Sequence, residues 1–147
     1  MSEPDVRVAV TEGERDDAFA VRKAVFVDEQ GVDEELEWDE HDDPDAEAVH
    51  FVAYRGGDPV GAARLREYEP GVGKVERVAV LESARGEGWG RRLMEALEAE
   101  ARERGFDSLV LHGQTTAEGF YHGLGYETTS DEFDEAGIPH VEMRKSL

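Results

Sequence analysis

The stretch Arg85-Gly86-Glu87-Gly88-Trp89-Gly90-Arg91-Arg92 decides the fold. It follows an apolar, strand-like run from Val75 to Leu81 and opens a helical pattern carrying Leu93, Met94, Leu97 and Ala101. A glycine-rich turn therefore sits at a helix start, where the first amides lack intrahelical partners and aligned peptide dipoles gather partial positive charge. Phosphate oxygens can accept from such amides, and glycine permits both close approach and positive φ. Spacing separates the classes of phosphate-binding turn. A P-loop needs Gly-Lys followed by Ser or Thr, whereas Gly90 is followed by Arg91 and Arg92. A dinucleotide fingerprint needs G-x-G-x-x-G close to the start of its domain, and the glycines here are 86, 88 and 90. The alternative is a surface strand-to-helix turn whose glycines serve geometry alone.

Upstream, Val6, Val8 and Val10 alternate as a short strand. Thr11 and Glu14 have capping-box spacing, and Ala18, Val21 and Val25 with Phe19, Arg22 and Phe26 recur at helical intervals, so a first helix ends near Gly31. Residues 32–46 are acidic and aperiodic, a loop with room for a short helix on the substrate side. Val49 to Tyr54, the turn Gly56-Gly57-Asp58-Pro59, and Val60 to Tyr68 form a hairpin, followed by a strand from Lys74 to Leu81. Downstream, a helix from about Gly88 to Arg104 ends at Gly105, and Ser108 to His112 is an apolar strand. Thr115 and Glu118 again have capping-box spacing for a short helix stopping near Gly125, and Pro139 to Arg144 is the last strand. The order predicts one α/β (α+β) domain over 1–147, with a mixed, mainly antiparallel central sheet flanked by helices. The strand-helix-strand unit from Lys74 to His112 is a right-handed parallel crossover, placing the glycine turn at the carboxyl end of a central strand.

The 147 residues suffice for one substantial core. A formal charge of −20 excludes duplex nucleic acid and an anionic membrane surface as partners. The absence of cysteine, of a membrane-length apolar run and of a secretory pattern after Met1 predicts a soluble cytoplasmic protein. Lysine occurs only at 23, 74 and 145, and the acids are spread along the whole chain. Self-repulsion of that size is best tolerated where salt screens it, with a Debye length of roughly 3 Å at 1 M, so we expect halophilic adaptation and an acidic proteome around it.

With these elements placed, the chain resembles the GNAT N-acetyltransferase superfamily over nearly its full length. The match is carried by Arg85-x-x-Gly88-x-Gly90 after Glu76-Arg77-Val78-Ala79-Val80, and by Phe120-Tyr121-x-x-x-Gly125-Tyr126 downstream. Val25-Phe26-Val27-x-Glu29-Gln30-Gly31-Val32, Glu37-x-Asp39-x-x-Asp42 and Gly137-Ile138-Pro139-His140 resemble its ElaA-like branch. The resemblance implies a GNAT fold, acetyl-CoA as co-substrate, no metal, and acetyl transfer to a primary amine by direct attack on the thioester. The amides of Gly86, Glu87, Gly88, Trp89, Gly90 and Arg91 would hold the pyrophosphate, with Arg85 beside them. Backbone groups of Val78, Ala79 and Val80 would pair with the pantetheine arm as an added strand. Gln114 falls where the superfamily often has an asparagine touching the cofactor.

An ammonium cannot attack until a base removes its proton, and Glu76 is the candidate, with pairing to Arg64 as the competing structural role. Tyr121 matches the superfamily tyrosine that protonates the departing thiolate. Phe26, Trp38, Arg64 and His112 are the candidate acceptor-side residues, His112 also as an auxiliary base. Glu37, Asp39 and Asp42 are placed to bind a cation or attract a cationic amine. The five histidines match no zinc spacing. The acceptor expected is a small-molecule or peptide amine, and a homodimer is the common outcome for soluble domains. Two alternatives stand beside this: an acyl-homoserine-lactone-synthase-like acyltransferase, suggested by Arg22-x-x-x-Phe26 and Trp38, and a non-catalytic acyl-CoA sensor.

Overall fold

The computed structural model describes residues 5–147. Strand β1 (Asp5–Val8) leads into helix α1 (Glu12–Arg22), whose capping box forms as the spacing requires. Glu14 N donates to Thr11 Oγ1 at 3.1 Å and Thr11 N donates to Glu14 Oε1 at 3.0 Å. Helix α2 (Glu34–Glu37) and a 3-10 turn (Glu40–Asp42) occupy the acidic segment. Then come β2 (Val49–Arg55), β3 (Asp58–Glu69), β4 (Val72–Val80), α3 (Trp89–Glu103), β5 (Ser108–Gln114), α4 (Glu118–Gly123), β6 (Glu127–Thr128), β7 (Phe133–Glu135) and β8 (Ile138–Ser146).

The strands form one sheet in the order β1-β2-β3-β4-β5-β8-β6, with β7 also paired to β8. Among the described residues only β4 and β5 run parallel, as the crossover through α3 demands. Period-two alternation divides β3 between two faces: Ala63 and Leu65 join Leu93, Met94, Leu97 and Ala101 of α3, while Ala62 packs with Ala18, Val21 and Val25 on the α1 side. The result is a three-layer sandwich. Gly61 lets α3 pack closely on β3: a Cβ there would lie 2.8 Å from Leu93 Cδ1, so the leucine would have to shift.

Three local expectations need correction. The first helix does not run evenly to Gly31: after Arg22 it widens into a π-helical segment, Lys23–Glu29, closed by Gln30 N donating to Val25 O at 3.0 Å. That extra width turns Phe26, Glu29 and Gln30 toward the sheet's open edge. Thr115 does not cap the last helix; a 3-10 turn (Thr115–Ala117) intervenes and Ala117 is the N-cap. Glu118 instead accepts from the Thr128 hydroxyl, tying α4 to β6. The strands β6 and β7 were not anticipated. Each is two or three residues long, too short to show a period, and β7 turns into β8 through Ala136 and Gly137, both at positive φ, without the usual Asn-Gly or Asp-Gly signal.

Candidate active site

Parallel pairing of β4 with β5 ends at Val75 opposite Leu111. Beyond that point β4 continues to Val80 and β5 to Gln114, so the two strands diverge and a cleft of about 750 Å³ opens between them. Phe26, Glu29 and Gln30 from the π-helical segment, Tyr121 from the α4 side, and Glu135 and His140 from the β7–β8 hairpin complete its walls. The strand edge from Glu76 to Val80 faces this space without a neighbouring strand, leaving main-chain groups for an extended ligand to pair with.

A bulge aims that edge. The β3–β4 register shifts between Ala62 and Arg64, and Arg77 adopts φ 57°, a left-handed conformation costly for a side chain with Cβ. The Arg77 guanidinium holds the distortion by donating to the carbonyl oxygens of Leu36 and Glu37 and lying 3.3 Å from a Glu37 carboxylate oxygen.

At one end of the cleft lies the glycine turn. Gly86 and Gly88 have φ 81° and 89°, and Gly88 is the N-cap of α3. A Cβ at Gly86 would meet nothing within 4 Å, so the turn's outer face is open. The amides of Gly86 through Arg91 have no acceptor among the described residues. These features fit a diphosphate. Arg85 closes the turn from the side, bonding Glu29 through both terminal nitrogens at 2.7 and 2.6 Å and Val80 O through Nε at 3.1 Å. Trp89 contributes only its amide to the turn's face, because its ring is buried in the α3 core and its indole N–H donates to Glu87 at 3.0 Å. Glu87 also accepts from Arg55, which neutralises the one acidic side chain in the turn. Arg91 pairs outward with Glu95. Gln114 donates to Gln30 at 2.8 Å, spanning the cleft from β5 to the π-helical segment.

Tyr121 packs against Gly113, where a Cβ would come within 3.3 Å of its ring. Burial pushes its hydroxyl well above the ordinary tyrosine range, keeping it protonated and able to donate. No acceptor for that hydroxyl occurs among the described residues.

Glu76 lines the cleft but is a poor fit for a base. Burial alone would raise its carboxyl, yet the hydrogen bond from Arg66 at 2.7 Å and the charges of Arg64, Arg66 and Lys74 hold it at about 2. An alkyl ammonium loses its proton near 10, so transfer to such a carboxylate is uphill by about 11 kcal/mol. Its surroundings assign it a structural role as the counter-ion of three cations. Arg64 and Trp38, expected on the acceptor side, are absent from the cleft wall. Arg64 is fully buried among Asp39, Asp42 and Glu76, and Trp38 is turned onto Phe19 and the Arg22 guanidinium. Asp39 and Asp42 are likewise committed inward. With Glu37 they neutralise the buried guanidiniums of Arg22 and Arg64, so these three carboxylates are already engaged and not free to hold a cation. Phe26 and His112 do face the cleft.

Glu135 is a cleft residue that no motif or spacing singles out. Its carboxylate lies 3.0 Å from His112 Nδ1 and 3.7 Å from His140 Nε2, and the hydrogen bond from His112 holds it below the usual carboxylate range against the opposing effect of burial.

Comparison with known proteins shows the family and the fold. A family model described as Acetyltransferase (GNAT) domain matches residues 10–147. A Bacillus subtilis (strain 168) relative, "Uncharacterized N-acetyltransferase YjcF", is 45% identical over 139 residues, covering 94% of this chain and 96% of the relative. A solved structure from Lactobacillus plantarum is 35% identical with a TM-score of 0.91, covering 99% of both chains. Escherichia coli ElaA superposes with a TM-score of 0.84 over 99% of both chains at 24% identity, a likeness of fold. The chain belongs to the GNAT acetyltransferase family, and its activity is that of a transferase.

Proposed function

We propose that this protein is an acetyl-CoA-dependent N-acetyltransferase that moves an acetyl group onto the primary amine of a small molecule or peptide. The observation that carries the reading is the cleft between the diverging β4 and β5, with the open turn amides at one end and the Tyr121 hydroxyl in its wall. The amides of Gly86 to Arg91 bind the pyrophosphate, and the free edge of Val78 to Val80 pairs with the pantetheine arm. A backbone N–H near Val78, displaced by the bulge at Arg77, stabilises negative charge developing on the thioester oxygen. Tyr121 supplies the proton taken up by the departing thiolate. Because 36 acidic residues would repel a polyphosphate, Arg85 and Arg92 serve to bring the donor in.

Thiol release from acetyl-CoA, followed over a panel of primary amines, tests this. Amine-dependent release is expected, and Tyr121→Phe lowers kcat about 100-fold while leaving donor KM and thermal stability unchanged. Tight acetyl-CoA binding with no turnover on any amine would make the protein a sensor and end the proposal, and an unchanged kcat in Tyr121→Phe would remove the tyrosine from the chemistry.

A further inference from the structure

We propose that His112 is the general base of this transfer and that Glu135 positions it, an assignment that rests on the acetyltransferase reading. His112 follows Leu111, the last β5 residue paired with β4, so it stands where the strands begin to diverge and lines the same cleft as Tyr121. A carboxylate only accepts, so Glu135 Oε1, 3.0 Å from Nδ1, fixes the ring hydrogen on Nδ1 and leaves the lone pair on Nε2. The ring is also held by the edge of Phe133, with centroids 5.1 Å apart. Both contacts come from β7, so the hairpin is a support for the imidazole. This arrangement of base and orienting carboxylate is what Glu76 lacks, since Glu76 is saturated by three cations.

The proton balance is complete with residues in the cleft. His112 Nε2 takes one proton from the ammonium, and the freed nitrogen forms the new bond to the thioester carbon. The carbon–sulfur bond breaks with its electron pair going to sulfur, which takes the Tyr121 proton. The acylated nitrogen returns its second proton to Tyr121, and the imidazolium discharges the first to water. The other charged or titratable groups around His112 are His140 and Glu142 on β8 and Lys74 and Glu76 on β4. His140 donates through Nδ1 to Ile138 O at 2.6 Å, and Glu142 is engaged by Thr129 and Arg144.

The test is the pH profile of kcat/KM for acetyl-CoA with whichever panel amine the wild type acetylates, together with nitrogen-15 imidazole shifts of the free protein. Wild type should show an acidic limb below which rate is lost, and a neutral His112 carrying its hydrogen on Nδ1. His112→Gln should lower kcat about 100-fold or more and abolish the limb. Glu135→Leu, which cannot accept from Nδ1, should move the His112 hydrogen toward Nε2 in the nitrogen-15 spectrum and lower kcat about 10-fold with donor KM unchanged, a pattern that mere loss of folding would not produce. Glu76→Gln should retain the limb. A limb that persists in His112→Gln, or an unchanged tautomer and rate in Glu135→Leu, overturns the assignment while leaving the acetyltransferase reading intact. Failure of every amine to react overturns both.

Discussion

Replacing Glu76 by glutamine separates an ion-pair role from a catalytic one, and its size follows from the surroundings. The carboxyl is held at about 2 against an ordinary 4.5, which at about 1.4 kcal/mol per tenfold change corresponds to about 3 kcal/mol of folding stability. The side chain is only 10% exposed, so solvent screening removes little of this. The folded carboxyl is more acidic than the unfolded one. Its contribution is therefore complete above about pH 4.5 and lost progressively as pH falls toward 2. Glutamine leaves Arg64, Arg66 and Lys74 short of one negative charge, a loss in the range typical of a broken buried pair. Urea denaturation of wild type and Glu76→Gln at pH 7, 5, 4 and 3 should show a gap of about 3 kcal/mol at neutral pH that narrows below pH 4.5. A gap under about 1 kcal/mol at pH 7, or one that stays constant to pH 3, would show that Glu76 does not serve as the counter-ion described.

Gly88→Val should fold with a lower Tm, because a β-branched side chain at φ 89° costs about 1–3 kcal/mol, and should lose most coenzyme A affinity in calorimetry; retained affinity would place the diphosphate elsewhere. Thr11→Ala removes the side-chain half of the α1 capping box and should cost about 1 kcal/mol in urea denaturation, without altering coenzyme A affinity. With a formal charge of −20, Tm should climb steeply from dilute buffer to molar KCl as repulsion is screened; equal Tm in both would remove salt adaptation as the reason for the acidity.

The parts of the fold that could be read from sequence are those with strong periodicity or local chemistry. Leu93, Met94, Leu97 and Ala101 mark one face of α3, the Thr11–Glu14 box marks the start of α1, and Gly88 and Gly105 bracket α3. The long apolar strands followed from alternation. What escaped was long-range in origin. Nothing local announces that Asp39 and Asp42 turn inward, because the reason is Arg64, more than twenty residues away on β3. Trp38 was drawn off the acceptor side by Phe19 and Arg22 in the same way. The π-helical widening after Arg22 leaves the spacing of Ala18, Val21 and Val25 looking like an ordinary helix. Glu135 lies in one of the least patterned stretches of the chain, and only the Ala136-Gly137 turn and pairing with β8 bring it to His112. The pairing of Glu76 with Arg64 was legible as its competing structural role and forms, but its further commitment to Arg66 and Lys74 depends on a cross-strand register that spacing does not specify.

A crystal structure of the protein with coenzyme A tests the central claim most directly. The diphosphate should sit within hydrogen-bond distance of the amides of Gly86 to Arg91, the pantetheine should lie along Val78 to Val80, and the sulfur should point toward Tyr121. A diphosphate bound away from the start of α3, or a sulfur outside the cleft between β4 and β5, would contradict the account.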